Sequence, residues 1–296
     1  MWEDLLQQLN KGDTNALARA ISLVENQVPG YEKLLSNIGA QSGTAIIGIT
    51  GPPGAGKSTL TDALIASFIQ QGDRVAILCV DPSSPFTQGA ILGDRIRMNQ
   101  WYNHPAVFIR SLASRGALGG LHPMVVEITD LLKAAHFDKI IVETVGVGQS
   151  EIEIVGLADV TIVVLVPEAG DEIQTMKSGL MEVADIFVVN KCDRPGSDQF
   201  SNNLQAMLDH STRHHQNHTS IIKTIAAQQQ GIELLQQAIN DFLTTHPPKE
   251  KLSLLAERAM YLIAKRRMKD LNKQLLADAI QKEGPDFNLY QFIQQF

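Results

Sequence analysis

The chain has 296 residues, with 32 Asp and Glu against 25 Lys and Arg and a formal net charge of −7. That acidic balance argues against a protein bound along a nucleic-acid backbone, and no window reaches the roughly 20 apolar residues needed to cross a bilayer. An apolar fraction of 44% with 19% charged residues is that of an ordinary globular protein with a sizeable core, in one large or two modest domains.

The first residues, Met1-Trp2-Glu3-Asp4, are acidic with no long apolar stretch after them, so no signal peptide and no membrane partner are expected, and the location is read as cytoplasmic. Residues 2–40 read as helices. Thr14 is expected to cap a run carrying Leu17, Ala20, Ile21 and Val24 at helical spacing. Pro29 is expected to open the next helix, with Leu34, Leu35 and Ile38 on one side. From Ala45 short apolar runs alternate with helical stretches: Ala45–Thr50, Arg74–Val80, Val107–Arg110, Lys139–Glu143, Val160–Val166, Asp185–Asn190 and Ile221–Ile225. Several are continuously apolar and β-branched, as buried parallel strands are. Helical patterns such as Lys57–Gln71 and Pro123–Ala135 fall between them. The fold class is therefore α/β: a mainly parallel sheet with helices on both faces, with helical N- and C-terminal extensions. The expected boundaries are 1–40, 41–245 and 246–296, the last set off by His246-Pro247-Pro248. Cys79 and Cys192 end apolar runs, lie far apart and have no CxxC neighbour, so they read as core thiols of a reducing cytosol. Leu252–Lys282 reads as one long helix, with Leu255, Ala259, Leu262 and Ile263 at helical spacing and a solvated face of Lys and Arg. A self-association arm is the second reading of that helix, and RNA binding the third.

Gly51-Pro52-Pro53-Gly54-Ala55-Gly56-Lys57-Ser58 satisfies G-x-x-x-x-G-K-[ST] between a strand-like and a helical run, with Thr59 next. Glycines let the backbone curl so that successive N–H groups face phosphate oxygens, and the following helix presents its positive end to the same anion. Lys57 would reach the β- and γ-phosphates and the Ser58 hydroxyl would ligate Mg²⁺. A chance glycine-rich turn is the bland alternative, and the matching flanks weigh against it.

Asn190-Lys191-Cys192-Asp193 follows a late strand and looks like the N-K-x-D guanine signature. The Asp193 carboxylate can accept from guanine N1–H and the 2-amino group together, whereas adenine has no such donors there. Asn190 would tie this loop to the phosphate loop and approach N7, and the Lys191 stem would lie across the base. Thr224-Ile225-Ala226-Ala227 stands where GTPases often carry a Ser-Ala loop; the serine is missing, so a base contact there falls to backbone groups, at Ala226. Glu143 and Gly146 stand where many GTPases have D-x-x-G; the carboxylate can hold a Mg²⁺-bound water and Gly146 can give its N–H to the γ-phosphate. Asp81 and Asp94 are the second and third candidates for the metal shell. Val147 occupies the place of a water-orienting glutamine, so turnover is expected to be slow alone and raised by a partner.

The runs Val80–Pro85, Ile91–Met98, Ser114–Gly120, Val142–Glu151 and Gly170–Gln174 resemble the MeaB/ArgK family of GTPases, chaperones of cobalamin-dependent methylmalonyl-CoA mutase. The resemblance covers about residues 40–245 and implies a G3E-type P-loop GTPase fold, a homodimer, GTP/GDP and Mg²⁺ as ligands, and a cobalamin-dependent acyl-CoA mutase as client. It implies switch segments at 81–94, 143–151 and 170–179, and a transition-state charge partner in Lys177. The implied task is to gate cobalamin delivery, with GTP state setting affinity for the mutase. Gln88 and Ser111-Leu112-Ala113 depart from the family pattern.

Two other functions compete. His210, His214, His215 and His218 have spacings seen in metal sites, which would suit a nickel-delivering metallochaperone, although a polar helix end is the plainer reading. An ATP-using kinase serving amino-acid transport is the other, and Asp193 argues against it.

Overall fold

The computed structural model describes residues 2–39, 43–81, 95–113, 121–144, 150–169, 184–209, 219–246, 252–283 and 287–296. The chain divides into two compact units, Met1–Pro247 and Pro248–Phe296.

The first unit is built on a parallel sheet of β1 (Ala45–Thr50), β2 (Val75–Asp81), β3 (Val107–Ala113), β4 (Lys139–Glu143), β5 (Val160–Leu165), β6 (Ile186–Val189) and β7 (Ser220–Lys223). Their order is β3-β2-β4-β1-β5-β6-β7, and every pairing is parallel. Residues of β5 and β6 are buried throughout, which is why these strands read as unbroken apolar runs rather than alternating ones. Alternate residues feed opposite faces. Ile46, Leu78, Ile140 and Val142 join one core cluster, and Ile47, Ile77, Ile141 and Ile162 another.

On one face lie α1 (Trp2–Asn10), α2 (Thr14–Glu25), α3 (Tyr31–Ser36), α5 (Val125–Ala134) and α6 (Ser150–Leu157), whose apolar residues share a cluster with the strands. The other face is covered by α4 (Lys57–Gln70) and α8 (Ile232–Thr245), through Leu64, Phe68, Leu235 and Ile239. Between α6 and α8 in the chain, α7 (Ser197–Asp209) packs Phe200, Leu204 and Leu208 against Val163 and Phe187. Leu5, Leu9, Leu17, Ile21, Val24 and Leu34 of the first three helices are buried against the sheet. At about 1.5–3 kcal/mol for each such side chain, this burial makes them part of the core. Arg110 of β3 adds an ion pair to Glu25 of α2 at 2.6 Å.

Several local expectations are corrected. The cap of α2 is Asp13 rather than Thr14: its carboxylate accepts from the N–H groups of Asn15 and Ala16 at 2.8 and 3.0 Å, leaving Thr14 as the first helical residue. The helix after Pro29 starts at Tyr31, because Gly30 takes a left-handed φ of 98° first. A Cβ there would sit 2.4 Å from Trp2 Nε1, so glycine also admits the indole. Strand β3 runs on to Ala113 and so includes Ser111 and Leu112.

In the second unit the single helix expected over Leu252–Lys282 is two, α9 (Leu252–Arg267) and α10 (Lys273–Lys282), followed by the short α11 (Leu289–Phe292). Asn272 breaks the run by capping α10, its side chain accepting from Leu275 N–H at 2.8 Å. Met260, Tyr261, Leu262 and Ile263 are exposed on α9, and Phe292 is the buried hydrophobic residue among the described ones of this unit. Among the described residues no helix is long and apolar enough to cross a membrane.

Candidate functional site

The strand order locates the site. The chain runs from β1 out to β2 and β3, returns with β4 between β2 and β1, then crosses to β5, β6 and β7 on the other side. The switch of direction falls at β1, and ligands of open α/β sheets bind beyond the carboxyl ends of strands at such a point. The motif residues follow β1, end β4 and follow β6, all at that edge.

Gly51 leaves β1 with φ 138°, and a Cβ on it would lie 2.2 Å from the Val164 carbonyl of β5. Only glycine lets the loop turn so close to the neighbouring strand. Gly56 caps α4 with φ 92° and no side-chain acceptor, so the first-turn N–H groups of α4 point outward with the helix's positive end behind them. Lys57 is nearly buried, and its Nζ donates to the carbonyls of Gly51 and Pro52 at 2.9 and 3.1 Å. The ammonium thus sits at the loop's mouth, where phosphate oxygens would be stronger acceptors than carbonyls. Pro53 and Gly54 are exposed at the loop tip, and Ala55 is buried beneath it. Thr59 is half-buried.

Glu143 ends β4 in register with Ile49 of β1 and Cys79 of β2. Its carboxylate is 3% exposed and accepts from two hydroxyls of α4: Ser58 Oγ at 2.7 Å on Oε1 and Thr61 Oγ1 at 2.8 Å on Oε2. A hydroxyl and a carboxylate beside an ammonium and a ring of amides are hard oxygen donors of the kind Mg²⁺ takes, so this donor set fits the metal. Asp81 is the last residue of β2, paired with Ala113. Asp94, Gly146 and Lys177 lie outside the described residues, as do His210, His214, His215 and His218. Among the described residues, no three His, Cys, Asp or Glu gather into a metal-binding cluster.

Asn190 joins three segments. It is 2% exposed; Nδ2 donates to the Ala55 carbonyl of the phosphate loop at 2.9 Å, and Oδ1 accepts from Thr224 Oγ1 at 3.0 Å and Ala226 N–H at 3.1 Å. The Ala226 amide, expected at the base, is therefore engaged by Asn190. Lys191 adopts a left-handed φ of 59° and its Nζ donates to the Gly54 carbonyl at 2.6 Å, so its stem spans from the Asn190 loop to the phosphate loop. Asp193 is exposed at the rim. Cys192 between them is half-buried with its thiol against the Val189 carbonyl at 3.1 Å, and burial pushes that thiol up from its ordinary pKa. Arg194 pairs with Glu168, and this hydrogen bond holds the Glu168 carboxyl below its usual range.

Buried hydroxyls outside the motifs brace these groups. Thr61 holds Glu143, Thr144 Oγ1 donates to Thr50 Oγ1 at 2.9 Å between the ends of β4 and β1, and Thr224 holds Asn190. Thr61 was detectable in principle as a polar residue three positions after Ser58, hence on the same helix face.

A parallel sheet with a glycine loop and helix at its switch point, tied by asparagine and lysine to a second loop, defines a P-loop nucleotide-binding protein of the GTPase kind. Residues 17–282 match the family described as methylmalonyl Co-A mutase-associated GTPase MeaB, and the chain belongs to that family. It is 39% identical over 251 residues to the GTPase ArgK of Escherichia coli K12, covering 81% of this chain and 75% of that one. It is also 38% identical over 219 residues to a fused isobutyryl-CoA mutase of Geobacillus kaustophilus, covering 70% of this chain and 20% of that one. The crystal structure of a LAO/AO transport system kinase superposes with a TM-score of 0.70 at 28% identity, covering 99% of this chain and 97% of that one. HypB from Helicobacter pylori in complex with nickel shares the fold, with a TM-score of 0.50 at 17% identity and coverage of 76% and 96%.

Proposed function

We propose that this chain hydrolyses GTP with Mg²⁺ and uses the GTP-bound state to gate a cobalamin-dependent acyl-CoA mutase. The observation that carries the nucleotide half is the Asn190 junction, which holds the phosphate loop and the base-reading loop in one register. In this reading the amides of residues 51–59 and the Lys57 ammonium bind the phosphates. Asp193 selects guanine, Lys191 lies across the base, Ala226 closes the base pocket, and Gly146 meets the γ-phosphate. Ser58 and Glu143 hold the metal, with Asp81 and Asp94 as further candidates for its shell. Bound there, Mg²⁺ would neutralise charge growing on the β- and γ-phosphate oxygens. Lys177 would add charge compensation in the transition state.

The mutase half is supported by a relative in which a segment like this chain is one part of a polypeptide named a fused isobutyryl-CoA mutase. Fusion keeps two partners at high effective concentration, and the same pairing with a mutase is read for this chain. The exposed Met260, Tyr261, Leu262 and Ile263 on α9 support a homodimer through the C-terminal unit. Cys79 and Cys192 form no disulfide, which accords with the reading of a cytoplasmic location.

Two measurements test this. GTP and ATP hydrolysis are followed side by side with and without Mg²⁺; equal rates on both nucleotides would overturn the guanine assignment. Protein loaded with a non-hydrolysable GTP analogue is then presented with a cobalamin-dependent acyl-CoA mutase, and retention no better than with GDP would overturn the gating role. Nickel titration by calorimetry separates the metallochaperone reading, which requires stoichiometric binding.

A further inference from the structure

Glutamate has one more methylene than the aspartate common at its position, and so one more torsion that must be held still. An unheld carboxylate would sample several rotamers and present no fixed oxygen to the phosphate side. In this protein α4 solves that problem. Ser58 and Thr61 stand three residues apart, on one face of the helix, and each donates to a different oxygen of the same carboxylate, at 2.7 and 2.8 Å. The two hydroxyls therefore fix the plane of the carboxylate as well as its position. Their roles differ. Ser58 belongs to the phosphate-loop motif and follows the ammonium-bearing Lys57. Its hydroxyl has two acceptor lone pairs besides its proton, so it can serve a metal and still donate to Glu143. Thr61 lies one turn further along α4 and is fully buried, at 0% exposure, with its hydroxyl on the Glu143 oxygen that Ser58 does not hold.

We infer that Thr61 is a positioning residue for the magnesium site: it anchors the inner oxygen of Glu143 so that the outer one stays beside Ser58. This rests on the reading of Ser58 and Glu143 as the metal-holding pair, and extends it to a residue that acts through Glu143. Groups that orient a metal's ligands generally matter nearly as much as the ligands. Thr61 is fully buried, so its methyl also fills packed volume, and the test must separate hydroxyl from packing.

The test uses the full-length protein and release of a fluorescent GDP analogue, measured across a Mg²⁺ titration and in excess EDTA. Thr61→Val keeps the shape and removes the hydroxyl; Thr61→Ser keeps the hydroxyl and removes the methyl. With Thr61→Val, about tenfold more Mg²⁺ is expected to be needed for half-maximal slowing of release. Its release rate in EDTA is expected to match the wild type, and Thr61→Ser is expected to restore the wild-type Mg²⁺ midpoint. If Thr61→Val does not fold, Thr61→Ala replaces it, with the same shift expected. A Thr61→Val midpoint that coincides with wild type, a Thr61→Ser midpoint displaced as far as that of valine, or a parallel rise in the EDTA rate would overturn the inference. Failure of the underlying reading looks different: wild-type release would itself ignore Mg²⁺, and Ser58→Ala would behave as wild type.

Discussion

Replacing Asn190 by alanine probes both the architecture and the site. The amide is 2% exposed and leaves three partners behind: the Ala55 carbonyl, the Thr224 hydroxyl and the Ala226 N–H. A buried polar group orphaned in this way costs about 1–3 kcal/mol. The vacated volume is polar and close to the loop surface, so a water can recover part of the loss, which brings the expected total to about 3 kcal/mol. For a unit of this size that corresponds to a fall in Tm of roughly 6–12 °C. Urea unfolding followed by circular dichroism gives the free energy, and GDP-analogue titration in the folded range gives the affinity. Asn190→Asp sharpens the comparison. It keeps the acceptor for Thr224 and Ala226 but turns the donor facing Ala55 into a second oxygen, so the two loops should repel where they are now joined. Nucleotide affinity should therefore fall in both variants. An Asn190→Ala protein with an unchanged urea midpoint and unchanged affinity would refute the reasoning that this side chain is the junction.

Other substitutions test separate parts of the structure. Gly51→Ala would drive a Cβ to 2.2 Å from the Val164 carbonyl, so the phosphate loop must lift from β5; loss of GDP-analogue binding in a folded protein is the expected result. Asp193→Asn leaves one acceptor where guanine offers two donors, and GDP affinity should fall about 10- to 100-fold while xanthosine diphosphate, whose C2 carbonyl can accept from the new amide, gains. Burial raises the Cys192 thiol above its ordinary value. Its contribution to stability is thus complete below the unfolded thiol's pKa of about 8.5 and is lost as pH rises through the higher folded value. Thermal unfolding from pH 7 to 10 should show an alkaline decline that Cys192→Ser reduces, and an identical decline in both proteins would count against it.

The parts legible in the sequence share a physical origin. Strands β1 and β4 have the limits that their apolar runs suggest, Ala45–Thr50 and Lys139–Glu143, because a strand buried on both faces must be apolar throughout. The phosphate loop is legible because its glycines are demanded by backbone geometry that few other residues can adopt, as Gly51 and Gly56 show. Local competition between neighbours was not. Asp13 and Thr14 are both good caps, and which one serves depends on where the helix finds its packing against α5. The break near Asn272 is similar: residues 268–272 contain no proline or glycine, and the capping asparagine divides what composition presents as one helix.

What the residues alone determine is chemistry with short range: a phosphate loop, a base-reading loop, and an alternation of strand and helix that forces a parallel sheet. Each is encoded within a few neighbouring positions, where backbone freedom and side-chain type decide the outcome. The tertiary structure decides the meetings between distant positions. The strand order that inserts β4 beside β1 brings Glu143 to Ser58 and Thr61, and the placement of β6 and β7 brings Asn190 to Ala55, Thr224 and Ala226. Those contacts depend on how layers pack across more than 80 residues of intervening chain in the case of Glu143. The spacing of Thr61 from Ser58 puts it on the same helix face, but only the fold supplies the Glu143 carboxylate that its hydroxyl holds.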